Sequence, residues 1–160
     1  MTSSSDIDWG ILLDDLALSP EQANEALIEG IVAKDLKRVQ QAIEAQADLK
    51  QIVGKEKLGV FALGFFNEDI VELLQKNGVS FKDNIKIIDK ALTVDSVPAL
   101  KWYLKSAACK KYYGTTLKEK DALDLLTSAL EAGSSKCFVW LAEQKDFSPF
   151  LKNIKPVYLN

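Results

Sequence analysis

Hydrophobic positions along this chain recur at helical rather than alternating spacing. The clearest instance is residues 67–81, NEDIVELLQKNGVSF. A polar opening is followed by Ile70, Val71, Leu73 and Leu74 on one helical face, and then by Asn77-Gly78. Glycine adopts the left-handed backbone that ends many helices without steric cost, so the pattern predicts a stop there. The phrase recurs with drift. Residues 35–49 read DLKRVQQAIEAQADL, which aligns Val39 with Val71, Ile43 with Gln75 and Asp48 with Ser80. Residues 96–104 (SVPALKWYL) and 134–142 (SSKCFVWLA) place Leu100 and Phe138 at the Val71 position, and Trp102 and Trp140 at that of Leu73. The copies are offset by 32, 29 and 38 residues. A period near 33 built from helix pairs marks a repeat array.

The stretches between the copies supply the partner helices. Residues 5–18 predict a short N-terminal helix capped by Ser5, with Trp9, Leu12, Leu13 and Leu16 on one face. Ser19-Pro20-Glu21-Gln22 is a helix start with Ser19 as N-cap, Pro20 as first residue and Gln22 as capping-box partner. That helix carries Ala23, Leu27, Ile28, Ile31 and Val32, and Asp35 opens the next, to about Ala45. Residues 46–55 read as a connector broken at Gly54. Residues 56–66, EKLGVFALGFF, read as a buried inner helix. Gly59 and Gly64 then require close neighbours, because glycine inside a helix costs up to about 1 kcal/mol relative to alanine. Residues 83–94 predict another inner helix with Ile85, Ile88, Ala91 and Leu92 inward, and Pro98 fits the first turn of the helix after it. Residues 105–117 read as the longest connector, 118–132 as a fourth inner helix around Ala122, Leu123, Leu126 and Leu130, and the tail from Phe147 as extended chain over the last repeat.

This succession of helix–turn–helix units resembles the ankyrin-repeat family over roughly residues 21–147. Residues 67–78 carry the best match. Asn67 sits at the polar turn, Ile70 and Val71 at the apolar pair, Leu73 and Leu74 at the leucine pair, and Gly78 at the terminating glycine; Gly133 matches the family's inter-helix turn glycine. The resemblance implies that the repeated phrase is the outer helix of each repeat. It is a degenerate one, because the family's Thr-Pro-Leu-His signature is absent from stretches beginning at Glu25, Lys57, Lys86 and Asp124. The hydrogen bonds that this tetrapeptide makes between repeats are expected to be replaced by apolar packing. The expected fold is all-α: one domain, a short solenoid of about four ankyrin-like repeats over 19–147. Residues 1–18 form an N-terminal capping helix and 148–160 a C-terminal tail.

Composition narrows the chemistry. Zero histidines removes the commonest general base and metal ligand, and with it any Ser–His or Cys–His nucleophile. Cys109 and Cys137 lack metal-ligand spacing and make no disulfide framework; Cys137 falls on the Ile70 position and reads as a small buried residue. No phosphate-cradling loop or dinucleotide fingerprint is present. The reading is a protein that is not an enzyme and needs no cofactor or metal. Net charge −3 and a single arginine, Arg38, argue against nucleic acid. No run approaches the roughly 18 apolar residues of a membrane span. The start, MTSSSDIDWG, lacks the basic and apolar regions of a signal peptide. The expected location is the cytoplasm, or a host cytoplasm reached without a cleaved signal.

Charge is uneven along the chain. Residues 1–20 hold Asp6, Asp8, Asp14 and Asp15 and no basic side chain, whereas residues 101–120 hold six lysines against Glu119. Repeat arrays bind macromolecules through loop tips and a concave face. The tips here fall near Lys50–Lys55, Phe81–Lys86 and Lys105–Thr116. Lys110, Lys111, Tyr112 and Tyr113 combine charge with amphipathic rings, and Lys82 and Lys55 join them as candidate contacts. The expected function is non-catalytic: an adaptor, inhibitor, assembly factor or bacterial effector, a monomer when unbound, that binds a protein partner with an acidic surface. The alternative is a structural homo-oligomer assembled through the N-terminal helix, which serves either as a cap on the stack or as a docking element.

Overall fold

Local start signals define most of the helices. In the computed structural model, which describes residues 18–154, Ser19 and Gln22 form the reciprocal capping box that opens α1 (Pro20–Val32). The side chains of Asp35, Asn67 and Ser96 each accept the backbone N–H three residues on. They open α2 (Leu36–Glu44), α4 (Glu68–Lys76) and α6 (Val97–Leu104). Between them lie α3 (Leu58–Leu63) and α5 (Asn84–Thr93). After α6 come α7 (Ala107–Tyr113), α8 (Glu119–Glu131), α9 (Ser135–Glu143) and a 3₁₀ helix (Ser148–Asn153). The described chain is thus mostly helical. The predicted helix over residues 5–18, with Trp9, lies outside the described residues, as do residues 155–160 of the tail.

Four helix pairs follow one another: α1–α2, α3–α4, α5–α6 and α8–α9. Three of the four joints repeat in geometry more faithfully than in sequence. Asp35, Ser96 and Ser134 each donate a backbone N–H to the carbonyl five residues back, on Gly30, Ala91 and Ala129. The residue before each is left-handed: Lys34, Asp95 and Gly133. The second helices of the first two pairs end alike, with Gln46 and Gly78 left-handed and bonds from Ala47 to Ala42 and from Val79 to Leu74. First helices of neighbouring pairs touch (α3 with α5, α5 with α8), and so do second helices (α2 with α4, α6 with α9). Buried apolar residues form one continuous cluster from Ala23 to Ile154, with Cys137 and Cys109 inside it. Trp102 and Trp140 pack against this cluster half-buried.

Several local expectations are corrected. Residues 56–66 do not form one helix. Ile52–Val53 pairs antiparallel with Glu56–Lys57 around the Gly54-Lys55 turn, and α3 starts only at Leu58. The β-branched pair and the left-handed Gly54 favour this hairpin over a longer helix. Ile85 is not inward but 62% exposed. Asn84 takes the inward place in that turn, where its Oδ1 accepts the buried Tyr103 hydroxyl, and Ile87 is buried instead. Val32 is exposed, at the end of α1. The 105–117 connector contains α7, and the tail coils into the 3₁₀ helix rather than running extended. Phe147 and Ile154 still bury their side chains, and the 3₁₀ helix packs on α8 and α9.

Ties between pairs are not purely apolar either. Asp95, between α5 and α6, accepts the Ser134 hydroxyl at 2.7 Å and the backbone N–H groups of Cys137 at 3.0 Å and Lys136 at 3.2 Å. One carboxylate thereby caps α9 from the preceding pair. Lys90 of α5 reaches back to Glu56 at 2.8 Å.

Candidate protein-binding groove

The groove owes its existence to α7. Ser106 accepts the Cys109 N–H at 3.1 Å and donates its hydroxyl to the Tyr103 carbonyl at 2.6 Å, so a helix starts directly where α6 ends. Cys109 is buried and Tyr113 half-buried, which turns α7 against α5 and α6. Its opposite side, with Ala107, Ala108, Lys111 and Tyr112, faces the 78–82 loop across an open cavity of about 750 Å³. Gln75, Val79, Phe81 and Lys82 line the other wall. A second cavity of about 600 Å³ lies between α4 and α6 and shares the lining residues Gln75 and Ala107 with the first. Glu68 and Glu72 line it together with Lys101, Lys105 and Trp102. Trp102 is held there by Phe81, edge-on at 5.4 Å, and by Phe66 at 6.2 Å.

Three of the six residues singled out from the sequence meet in this groove: Lys82, Lys111 and Tyr112. Both lysines are exposed, and neither has an ion-pair partner among the described residues. Tyr112 is 51% exposed and its ring meets that of Tyr113 edge-on at 4.7 Å. Tyr113 is half-buried against the core and does not line the cavity. Burial pushes its phenol well above the ordinary value, and Tyr112, Cys109, Asp121 and Asp124 push the same way. Lys110 is exposed but does not line the cavity. Lys55 is exposed at the turn of the hairpin, outside both cavities. Sequence reasoning did not single out Gln75, Trp102 or the two glutamates as candidate contacts, and named Phe81 only as the edge of a loop tip. The available signal was Ser106, an N-cap residue before a short run ending in Gly114.

The groove's side chains are amides, lysines, carboxylates and aromatic rings, suited to contact by ion pairing, hydrogen bonding and stacking. The buried titratable groups lie behind it: burial raises the Cys109 thiol to about 11 and moves the Tyr103 phenol and Cys137 thiol up as well. Among the described residues, no three His, Cys, Asp or Glu side chains cluster so as to hold a metal ion, and no helix is long and apolar enough to cross a membrane. No family model, curated protein or solved structure matches the chain.

Proposed function

We propose that the four helix pairs form an ankyrin-like stack that binds a protein partner, without catalysis, through the groove between the 78–82 loop and α7. One observation carries this reading. Two lysines 29 positions apart in sequence, with no carboxylate partner among the described residues, flank a solvent-facing tyrosine in a cavity of about 750 Å³. Aromatic rings presented at a desolvatable surface with charge at the rim are what protein interfaces use as anchors. The unsevered stack behind the groove supplies a rigid wall, since Phe81 and Tyr113 pack into the same core that joins the pairs. Binding here is occupancy of a surface, as in an adaptor, inhibitor, assembly factor or effector.

The test is affinity capture from lysate of the source organism, and of its host where there is one, with wild type beside a Lys82→Glu/Lys111→Glu/Tyr112→Ala variant. All three changes are at exposed side chains, so the variant is expected to keep wild-type helicity and melting. The reading expects one or more proteins retained by wild type and lost by the variant. Equal retention by both would move binding off the groove, and retention by neither would overturn stable binding.

A further inference from the structure

We propose that the groove accepts an extended acidic segment of its partner, with one apolar side chain seated against Tyr112 and Val79 and the carboxylates on Lys82 and Lys111. This rests on the protein-binding reading above and adds the shape, charge and charge order of the ligand. The two cavities, about 750 and 600 Å³, lie side by side and share Gln75 and Ala107 in their linings. Each is the size that takes a few side chains rather than the face of a folded domain. The lining of the larger one holds Lys82 and Lys111 and no carboxylate. The lining of the smaller one sets Glu68 and Glu72 beside Lys101 and Lys105. A carboxylate therefore gains at the α7 end and finds opposed charges already balanced at the α4 end, so the segment's acids belong at the α7 end. Tyr112 meets edge-on a Tyr113 that is itself packed against the core, so the anchoring ring loses little freedom on binding. A polyphosphate backbone would also meet the lysines, but it would carry uniform charge into the smaller cavity, where Glu68 and Glu72 offset Lys101 and Lys105. That disfavours nucleic acid relative to an acidic peptide whose charge is confined to one end.

The experiment pans a library of random nonapeptides on the full-length chain, with counter-panning on the Lys82→Glu/Lys111→Glu variant. Enriched peptides are synthesised with a fluorophore for anisotropy. The expected winners carry two or more acids beside an aromatic or aliphatic residue. Their affinity should fall by about tenfold or more in Lys82→Glu/Lys111→Glu and in Tyr112→Ala, and change less than about twofold in Lys55→Glu. Added salt should weaken them. Absence of enrichment, winners that are basic or uncharged, or winners that bind the double variant equally would overturn the proposal. So would displacement of the winners by oligothymidylate at matched charge. Enrichment that emerges only after Asp6, Asp8, Asp14 and Asp15 are changed to asparagine would overturn it in favour of the chain's own N-terminal segment as occupant. Lysate capture that depends on the groove, without an acidic peptide being enriched, would leave the binding reading standing and remove this one; failure of both removes both.

Discussion

Asp95 follows the last turn of α5 at φ 52, a left-handed position that aspartate tolerates better than most residues, and from there its carboxylate caps the first turn of α9. Burial alone would raise this carboxyl. The bonds from the Cys137 N–H, the Ser134 hydroxyl and the Lys136 N–H outweigh it and hold the group below its ordinary value. With the folded value depressed, the contribution to stability is fully present above the unfolded value and is lost as pH falls through the folded one. Asp95→Asn should therefore cost about 1–3 kcal/mol near neutral pH. The difference in urea midpoint between wild type and variant should shrink as pH drops below 3.8. A difference independent of pH would contradict this account of the tie. Gly59 gives a second residue-scale expectation with the opposite sign from helix propensity. A methyl group there would lie 2.3 Å from the Ser80 carbonyl oxygen. Alanine gains about 1 kcal/mol in a helix, but overpacking against backbone costs about 1–3 kcal/mol. Gly59→Ala should lower the melting temperature and displace the groove wall that carries Ser80; a higher melting temperature would count against the close approach.

At the scale of elements, α7 distinguishes the third pair from the others, and it hangs on Ser106. Ser106→Ala removes both the cap and the bond to Tyr103, a loss of about 1 kcal/mol. Amide hydrogen exchange should quicken over residues 107–113 while α1, α2 and α4 keep their protection. Exchange unchanged in α7 would show that packing of Cys109 and Tyr113 suffices without the cap. The same helix shows where sequence reading succeeds and stops. Ser19, Asp35, Asn67 and Ser96 announce their helices because capping is a contact over three residues, visible in a short window. Helix α7 buries only Cys109 fully, so its apolar period is too faint to register against the lysines. The hairpin at Ile52–Lys57 was hidden because EKLGVFAL has ordinary helix composition, and its deciding feature is the conformation of Gly54. The candidate residues divide along the helix in the same way: 109 and 113 turn to the core, 111 and 112 to the groove, and 110 to neither. Lys82 and Lys111 line one cavity only through the packing of α7 on α5 and α6. That juxtaposition is a product of the fold, and no local pattern encodes it.

Among the described residues, four helix pairs share one core although the starts of their second helices are spaced unequally, at Asp35, Asn67, Ser96 and Ser134. The longer last interval is the insertion of α7, and this departure from regularity creates the groove. In the proposed stack, each pair is stabilised mainly by its neighbours. Material added at one joint can therefore shape a surface without disturbing the remainder. The proposed function requires a protein partner at this joint. It is tested most directly by placing a photoreactive p-benzoylphenylalanine at position 112, with a second variant carrying it at position 55 on the hairpin turn, and irradiating each in lysate. A covalent adduct to another protein from position 112 and none from position 55 is the predicted result. Adducts from position 55 alone, or from neither position, would contradict it.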